Sequence, residues 1–349
     1  MRELIDRLAR QGTLEKEEFV FLLSHRNDDP GDREYLYSLA RSRSIENYGH
    51  DIYLRGLIEF TNYCRNDCYY CGIRAGNTKA ERYRLTEIMD CCDAGYGFGF
   101  RTFVLQGGED PWFTDDKVCH MVSRIKDRYP DCAITLSLGE REKDSYQRFY
   151  DAGADRYLLR HETADPEHYA RLHPSDLSIE HRKQCLRDLK DIGFQIGAGF
   201  MVGSPYQTYE NLADDFLYLK ELQPHMIGIG PFIHHSDTPF RDCPDGTLEM
   251  TLFCLSVLRL MFPKVLLPAT TALGTIDPLG REKGVQAGAN VVMPSLSPKG
   301  VRGKYLLYDG KICTGEEAAE CHRCMEMRME RIGYHTVSAR GDYKGWSRE

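Results

Sequence analysis

Between residues 51 and 293, short apolar runs recur, each followed by a stretch with helical spacing of its apolar residues. That rhythm restricts the fold more than any other feature of the sequence. The runs are Tyr53–Phe60, Thr102–Gln106, Ala133–Leu138, Arg156–Arg160, Gln195–Val202, Met226–Phe232, Val265–Ala269 and Asn290–Met293. The later ones are continuously apolar rather than alternating, as expected of parallel strands covered on both faces. Between them, 116–128, 179–192, 209–222 and 248–260 carry amphipathic helical patterns. Eight strand–helix alternations in about 250 residues suit a closed (β/α)8 barrel better than a doubly wound open sheet. The expected class is therefore α/β, a TIM-type barrel over 49–295. A helical extension (1–48), broken near Asp28-Asp29-Pro30-Gly31, precedes it. A segment without the alternation (296–349) follows.

Charge and cysteine content narrow the function. The formal net charge is −8, with acids and bases interspersed, which argues against a nucleic-acid face. No run approaches the roughly 20 apolar residues of a membrane span. Met1–Arg7 also lacks a secretory apolar core, so a cytoplasmic protein is expected. Thirteen cysteines in a reducing compartment point to metal or redox use rather than a disulfide framework. Six of them fall into two tight groups.

The first group is Cys64, Cys68 and Cys71, spaced C-x3-C-x2-C directly after the first strand-like run. Soft thiolates suit iron–sulfur clusters or zinc. A structural zinc wants four closed ligands, whereas three thiolates on a four-iron cluster leave one iron open to a further ligand.

Barrel chemistry gathers at the C-terminal ends of the strands, and several of these ends are polar or glycine-rich. Gln106-Gly107-Gly108-Glu109 combines paired glycines, which admit close backbone approach, with a carboxylate able to accept from an ammonium. Arg160-His161-Glu162 puts charges straight after a buried run. Arg160 can clamp a carboxylate and Glu162 can accept from an ammonium or a ribose hydroxyl, or the two can form a salt bridge. His161 reads as a satisfied structural histidine. Gly197-Ala198-Gly199 and Gly228-Ile229-Gly230 allow close approach of a ring, or simple barrel packing. Thr270-Thr271 offers hydroxyls for a small anion, though both residues are also ordinary helix caps.

The cysteine spacing, with aromatic Tyr70 before the last cysteine, resembles the radical S-adenosylmethionine (SAM) superfamily. Further segments together resemble the FeFe-hydrogenase maturase family HydE: IEFTNYCRNDCYYCGIR, LQGGED, TLSLGE, AGADRYLLRHETADP, GAGFMVG, IGIGPFI, PATTALGT, AGANVVMPS and YLLYDGKIC. They run in matching order over about residues 50–325.

The resemblance implies a radical SAM barrel with a 4Fe–4S cluster on Cys64, Cys68 and Cys71. It also implies reductive cleavage of S-adenosyl-L-methionine to a 5′-deoxyadenosyl radical. Implied SAM contacts are Tyr70, Gln106, Gly107, Gly108, Glu109, Ser137, Glu162 and Arg182. Thr135, Arg160, Thr270, Thr271 and Tyr305 would line the substrate cavity, covered by Met226. The implied substrate is a cysteine-bound iron carbonyl cyanide complex used in assembling the diiron site. Partners would be a HydG-like donor, a HydF-like scaffold and an electron donor.

The second group, Cys313, Cys321 and Cys324, resembles an additional iron–sulfur site present in part of the family; zinc or free thiols remain alternatives. The other seven cysteines read as small buried hydrophobes. Two departures from the family pattern concern loops: Tyr206 stands where glycine is expected, and His234 and Ser236 where prolines are common. The competing readings are an amino-acid mutase of the methylornithine synthase or biotin synthase type, and a non-catalytic iron–sulfur scaffold.

Overall fold

Residues 1–315 and 318–348 are described by the computed structural model, without the side chains of 318–321. The first barrel strand is Asp51–Leu54 continuing as Gly56–Thr61, and the next three are Thr102–Gly107, Ala133–Ser137 and Arg156–Leu158. The fifth and sixth strands are each broken, into Gln195–Ala198 with Met201–Val202 and Met226–Ile227 with Gly230–Pro231. Residues 265–268 form the seventh position through bridges Met226↔Leu266 and Pro268↔Val291. Val291–Val292 is the eighth, pairing with the first strand at Tyr53↔Val291. The ring closes with every neighbouring pair parallel. The class expected from the sequence is the one found.

The ring forms because its strands are mostly apolar and helices cover their outer face. Gly56–Thr61 is buried at every position. Capping residues start the covering helices: Ser178 accepts from Glu180 N, Thr208 from Asn211 N and Thr247 from Met250 N. The helices 179–192 and 209–222 match the expected limits. The fourth strand ends two residues earlier than expected, at Leu158. The fifth is interrupted where Gly199 takes φ 152°, because a Cβ there would lie 1.9 Å from the Gly228 carbonyl oxygen.

The N-terminal extension is three helices, Arg2–Gln11, Lys16–Ser24 and Pro30–Tyr48. The break between the second and third is the expected one: Asp29 caps the third by accepting from Gly31 N at 2.7 Å. These helices pack on helices 209–222 and 248–261 of the barrel. The C-terminal residues return to the barrel floor, where His335–Val337 pairs in parallel with Asp51–Tyr53.

Candidate active site

The three cysteines sit in the irregular segment that follows the first strand at the C-terminal mouth of the ring. Without helix or strand, this backbone needs other partners, and Arg82 supplies them. Its guanidinium donates to the carbonyls of Asn62, Ile73, Arg74 (2.7 Å) and Asn77 (3.1 Å). Asp67 accepts from Gly76 N and is paired with Arg74, which tightens the turn between Cys64 and Cys71. Gly107 and Gly108 are demanded by the loop itself. A Cβ on Gly108 would lie 2.2 Å from Tyr63 O and 2.8 Å from Cys64 Cβ.

The three thiols influence one another's ionisation. Burial pushes Cys64 up, Cys68 well up and Cys71 up to about 12; Cys71 and Cys64 add to the effect on Cys68. Opposing this, Arg82 favours the thiolates of Cys64 and Cys71, and Arg182 that of Cys68. Three soft donors with cations beside them fit an iron–sulfur cluster. Among the described residues no three metal-ligating side chains converge closely enough to wrap a single ion. Thiolates bound to three different irons of one cluster would not do so either.

Next to the loop lies a cavity of about 210 Å³ lined by Tyr70, Cys71, Gln106, Arg160, Glu162, Thr270 and Thr271, with Glu59 and Lys311. Several of its polar atoms have no partner. Arg160 Nη2 is 2.9 Å from Glu162 Oε2, yet the two do not align as a hydrogen bond. Arg160 Nε and Thr270 Oγ1 are also unsatisfied. Glu162 holds φ 68°, a left-handed conformation costly for a residue with a Cβ. Buried, unpaired hydrogen-bonding groups are expensive unless a ligand uses them.

The structure brings most of the sequence-derived candidates to this mouth but divides the substrate set. Gln106 donates to Tyr305 OH at 3.3 Å, and Ser137 is its register neighbour on the third strand. Arg182 is buried, paired with Glu140, and donates to Arg160 O at 2.8 Å. Glu109 is already engaged, accepting from Arg65 Nε at 3.0 Å and from Glu140 N at 2.9 Å. Thr135 and Met226 line a separate, much smaller lower cavity with Arg55 and Arg156. Met226 Sδ there accepts from Arg55. Met226 thus lines the lower cavity and not the upper one. His161 is the satisfied core histidine expected, 3.2 Å from Asp215 and accepting from Gly199 N.

Comparison with known proteins follows from this geometry. A family model described as the Radical SAM superfamily matches residues 58–219, which include the cysteine loop and Arg160 to Arg182. The [FeFe] hydrogenase maturase subunit HydE of Thermotoga maritima is 43% identical over 95% of this chain and 94% of its own. The chain belongs to the HydE family of radical SAM enzymes. A 3-methylornithine synthase of Methanosarcina barkeri is more distant, 32% identical over 76% of this chain and 75% of its own. Among solved structures, methylornithine synthase (PylB) superposes with TM-score 0.81 at 27% identity, over 96% of this chain and 97% of that one. The maturase HydG superposes with TM-score 0.81 at 18% identity over 97% and 76%, which speaks to fold alone.

Within this HydE-family chain, the tail site is incompletely described. Cys313 and Cys324 line one cavity with Arg281 and Arg328, and Arg281 Nη1 is 3.7 Å from Cys313 Sγ. The Cys321 side chain lies outside the described residues. Of the seven other cysteines, 91, 92, 132, 185 and 254 are buried as expected; Cys119 and Cys243 are only half-buried. Tyr206 takes φ 68°, so the backbone there has the shape glycine adopts freely.

Two charged cavity residues escaped the sequence reading, Glu59 and Lys311. For Glu59 the signal was present. An acidic side chain inside Leu57-Ile58-Glu59-Phe60 is as anomalous as charges after a buried strand. Lys311 carries no such mark in its polar surroundings.

Proposed function

We propose that this enzyme uses a 4Fe–4S cluster on Cys64, Cys68 and Cys71 to act on a cysteine-bound iron carbonyl cyanide precursor during assembly of the FeFe-hydrogenase diiron site. The observation that carries this reading is near full-length likeness to HydE, at 43% identity over 95% of the chain. When bound, the cluster supplies an electron to the SAM sulfonium, giving a 5′-deoxyadenosyl radical. The chain's own residues orient and enclose. Arg82 and the Asp67–Arg74 pair hold the cysteine loop in shape. Gln106, Ser137, Glu162 and Arg182, with Tyr70 and the Gly107-Gly108 backbone, are proposed to seat SAM. Arg160 and Thr270 have unspent donors suited to a carboxylate, and Thr271 lines the same cavity. No protein acid–base pair is needed; binding, orientation and exclusion of water are what the barrel contributes.

HydG-like and HydF-like maturases and an electron donor are the proposed partners. The tail cysteines Cys313, Cys321 and Cys324 are proposed to hold a second, non-catalytic cluster.

The test uses oxygen-free protein rebuilt with iron and sulfide, then given dithionite and SAM. Release of 5′-deoxyadenosine and methionine is expected, and its absence sinks the assignment. Added lysine should yield no rearranged amino acid; a methylated ornithine product would favour the mutase reading instead. Addition to a cell-free mixture lacking only this maturase should restore hydrogenase activity.

A further inference from the structure

Glu59 projects from the first barrel strand and is 3% exposed. Almost everything around it is satisfied. Its N–H donates to Ser297 Oγ at 2.8 Å, and its carbonyl accepts from Tyr83 OH at 2.8 Å. One carboxylate oxygen, Oε1, accepts from Lys311 Nζ at 2.6 Å, and Lys311 is itself steadied by the Tyr305 carbonyl at 2.9 Å. The other oxygen, Oε2, is buried and has no partner, and Glu59 lines both the upper cavity and the cavity of the tail cysteines. Leaving a carboxylate oxygen dry and unpaired is costly, and a protein that needed only a tie to the tail could use both oxygens.

On the same cavity, Arg160 Nη2 and Glu162 Oε2 lie 2.9 Å apart as an ion pair, which leaves Arg160 Nε, just beyond the fourth strand, and Thr270 Oγ1, after the seventh position, as donors without partners. In an eight-membered ring the first and fourth strands lie on opposing sides. The cavity therefore has an unpaired acceptor on the first strand and unpaired donors after the fourth strand and the seventh position. Its charged lining residues, Glu59, Glu162, Arg160 and Lys311, balance to zero, so a ligand that is itself neutral overall fits without leaving a charge uncompensated.

We propose that Glu59 Oε2 receives the ammonium group of an α-amino-acid portion of the substrate, whose carboxylate is taken by Arg160 and Thr270. This rests on the reading of the cavity as the substrate site. It adds the ammonium-receiving residue and makes zwitterionic character the basis of selection. Lys311 occupies only Oε1, so Oε2 remains available to a second cation.

The experiment compares two thiol-free probes that cannot ligate iron through sulfur, L-2-aminobutyrate and butyrate, which differ only by the ammonium group. Each is titrated calorimetrically into cluster-loaded, SAM-saturated protein without oxygen. Wild-type protein is expected to prefer L-2-aminobutyrate by about tenfold or more. Glu59→Gln should abolish that preference while leaving butyrate affinity within about twofold. Lys311→Met, which removes the tie but keeps the carboxylate, should retain the preference. Equal affinity of the wild type for both probes, or no binding of either, overturns the proposal. So does an equal loss for both probes in Glu59→Gln, or loss of the preference in Lys311→Met, because each is what a purely structural tie predicts. Release of 5′-deoxyadenosine by the wild type is measured in parallel. A wild type that cleaves SAM but does not distinguish the probes defeats the Glu59 assignment alone.

Discussion

Arg82 shows how a single side chain can prepare a metal site before any metal arrives. It is spent on four carbonyls of the cysteine segment while lending positive charge to Cys64 and Cys71. Arg82→Met removes both contributions and strands several carbonyls in a partly buried loop, at about 1–3 kcal/mol for each fully desolvated group. The expected outcome is iron and sulfide incorporation reduced several-fold after reconstitution. Because the barrel ring does not depend on Arg82, the far-ultraviolet circular dichroism of the metal-free variant should match the wild type. Normal iron content in Arg82→Met would show that the cysteines organise themselves. The sequence marks Cys64, Cys68 and Cys71 by spacing, but nothing marks Arg82. A guanidinium that bonds carbonyls works through backbone shape, which no residue pattern displays. The same holds for the partners of Glu109: the two glycines before it give no sign that Arg65 Nε and Glu140 N donate to its carboxylate. A carboxylate's partners are set by the fold, not by its neighbours in the chain.

At the scale of elements, the eight strand positions were legible because parallel strands buried on both faces must be apolar without interruption. Breaks within them were not legible. The bend at Gly199 exists because the backbone of the sixth strand presses against it at Gly228, a contact between residues 29 positions apart. The N-terminal helices were also visible by period, but their purpose was not. Helix Leu248–Met261 is buried at every residue from Met250 to Met261, which a barrel helix facing solvent on one side would not be. Helix Pro30–Tyr48 packs against it, and Phe19 of the second helix meets Phe216 with ring centroids 5.2 Å apart. A chain starting at residue 49 should therefore expose a long apolar surface. It is expected to precipitate or bind a hydrophobic dye strongly, as a soluble, dye-silent fragment would not. A milder cut, Asp29→Ala, removes the cap of the third helix. It should cost about 1 kcal/mol in urea unfolding without altering iron content.

Over the whole molecule, the same chain that opens the barrel at one end seals it at the other, and the seal is electrostatic. Asp342 accepts from Arg156 Nη2 at 2.6 Å, Gln195 Nε2 at 2.7 Å and Arg340 Nε at 2.8 Å; Arg340 also reaches Asp155. Arg156 is buried beside Arg55, so Asp342 compensates charge that has no access to water. Burial alone would raise the Asp342 carboxyl, but the Arg156 charge and the hydrogen bonds hold it well below the usual carboxylate range. Its folded value is depressed, so the stabilisation is fully present above the ordinary value near 4 and is lost as pH falls below it. On the same floor, burial lowers His225 from 6.5 to about 4, while its Nδ1 accepts from Ile196 N. That neutral ring stabilises the fold above pH about 6.5, and its contribution, of order 3 kcal/mol, drains away between about 6.5 and 4. Urea unfolding as a function of pH separates the two. The wild type should weaken in two steps, first through the histidine window and then through the carboxylate window. Asp342→Asn should already be about 3–5 kcal/mol less stable at pH 7, because Arg156 is left buried without its anion. It should keep the decline between 6.5 and 4 and fall less steeply below 4, where Asp67, Asp110 and Asp277, also held below the ordinary carboxylate range, still contribute. An Asp342→Asn protein as stable as the wild type at neutral pH would mean that the tail lies on the floor without latching it, and that the buried arginines find their compensation elsewhere.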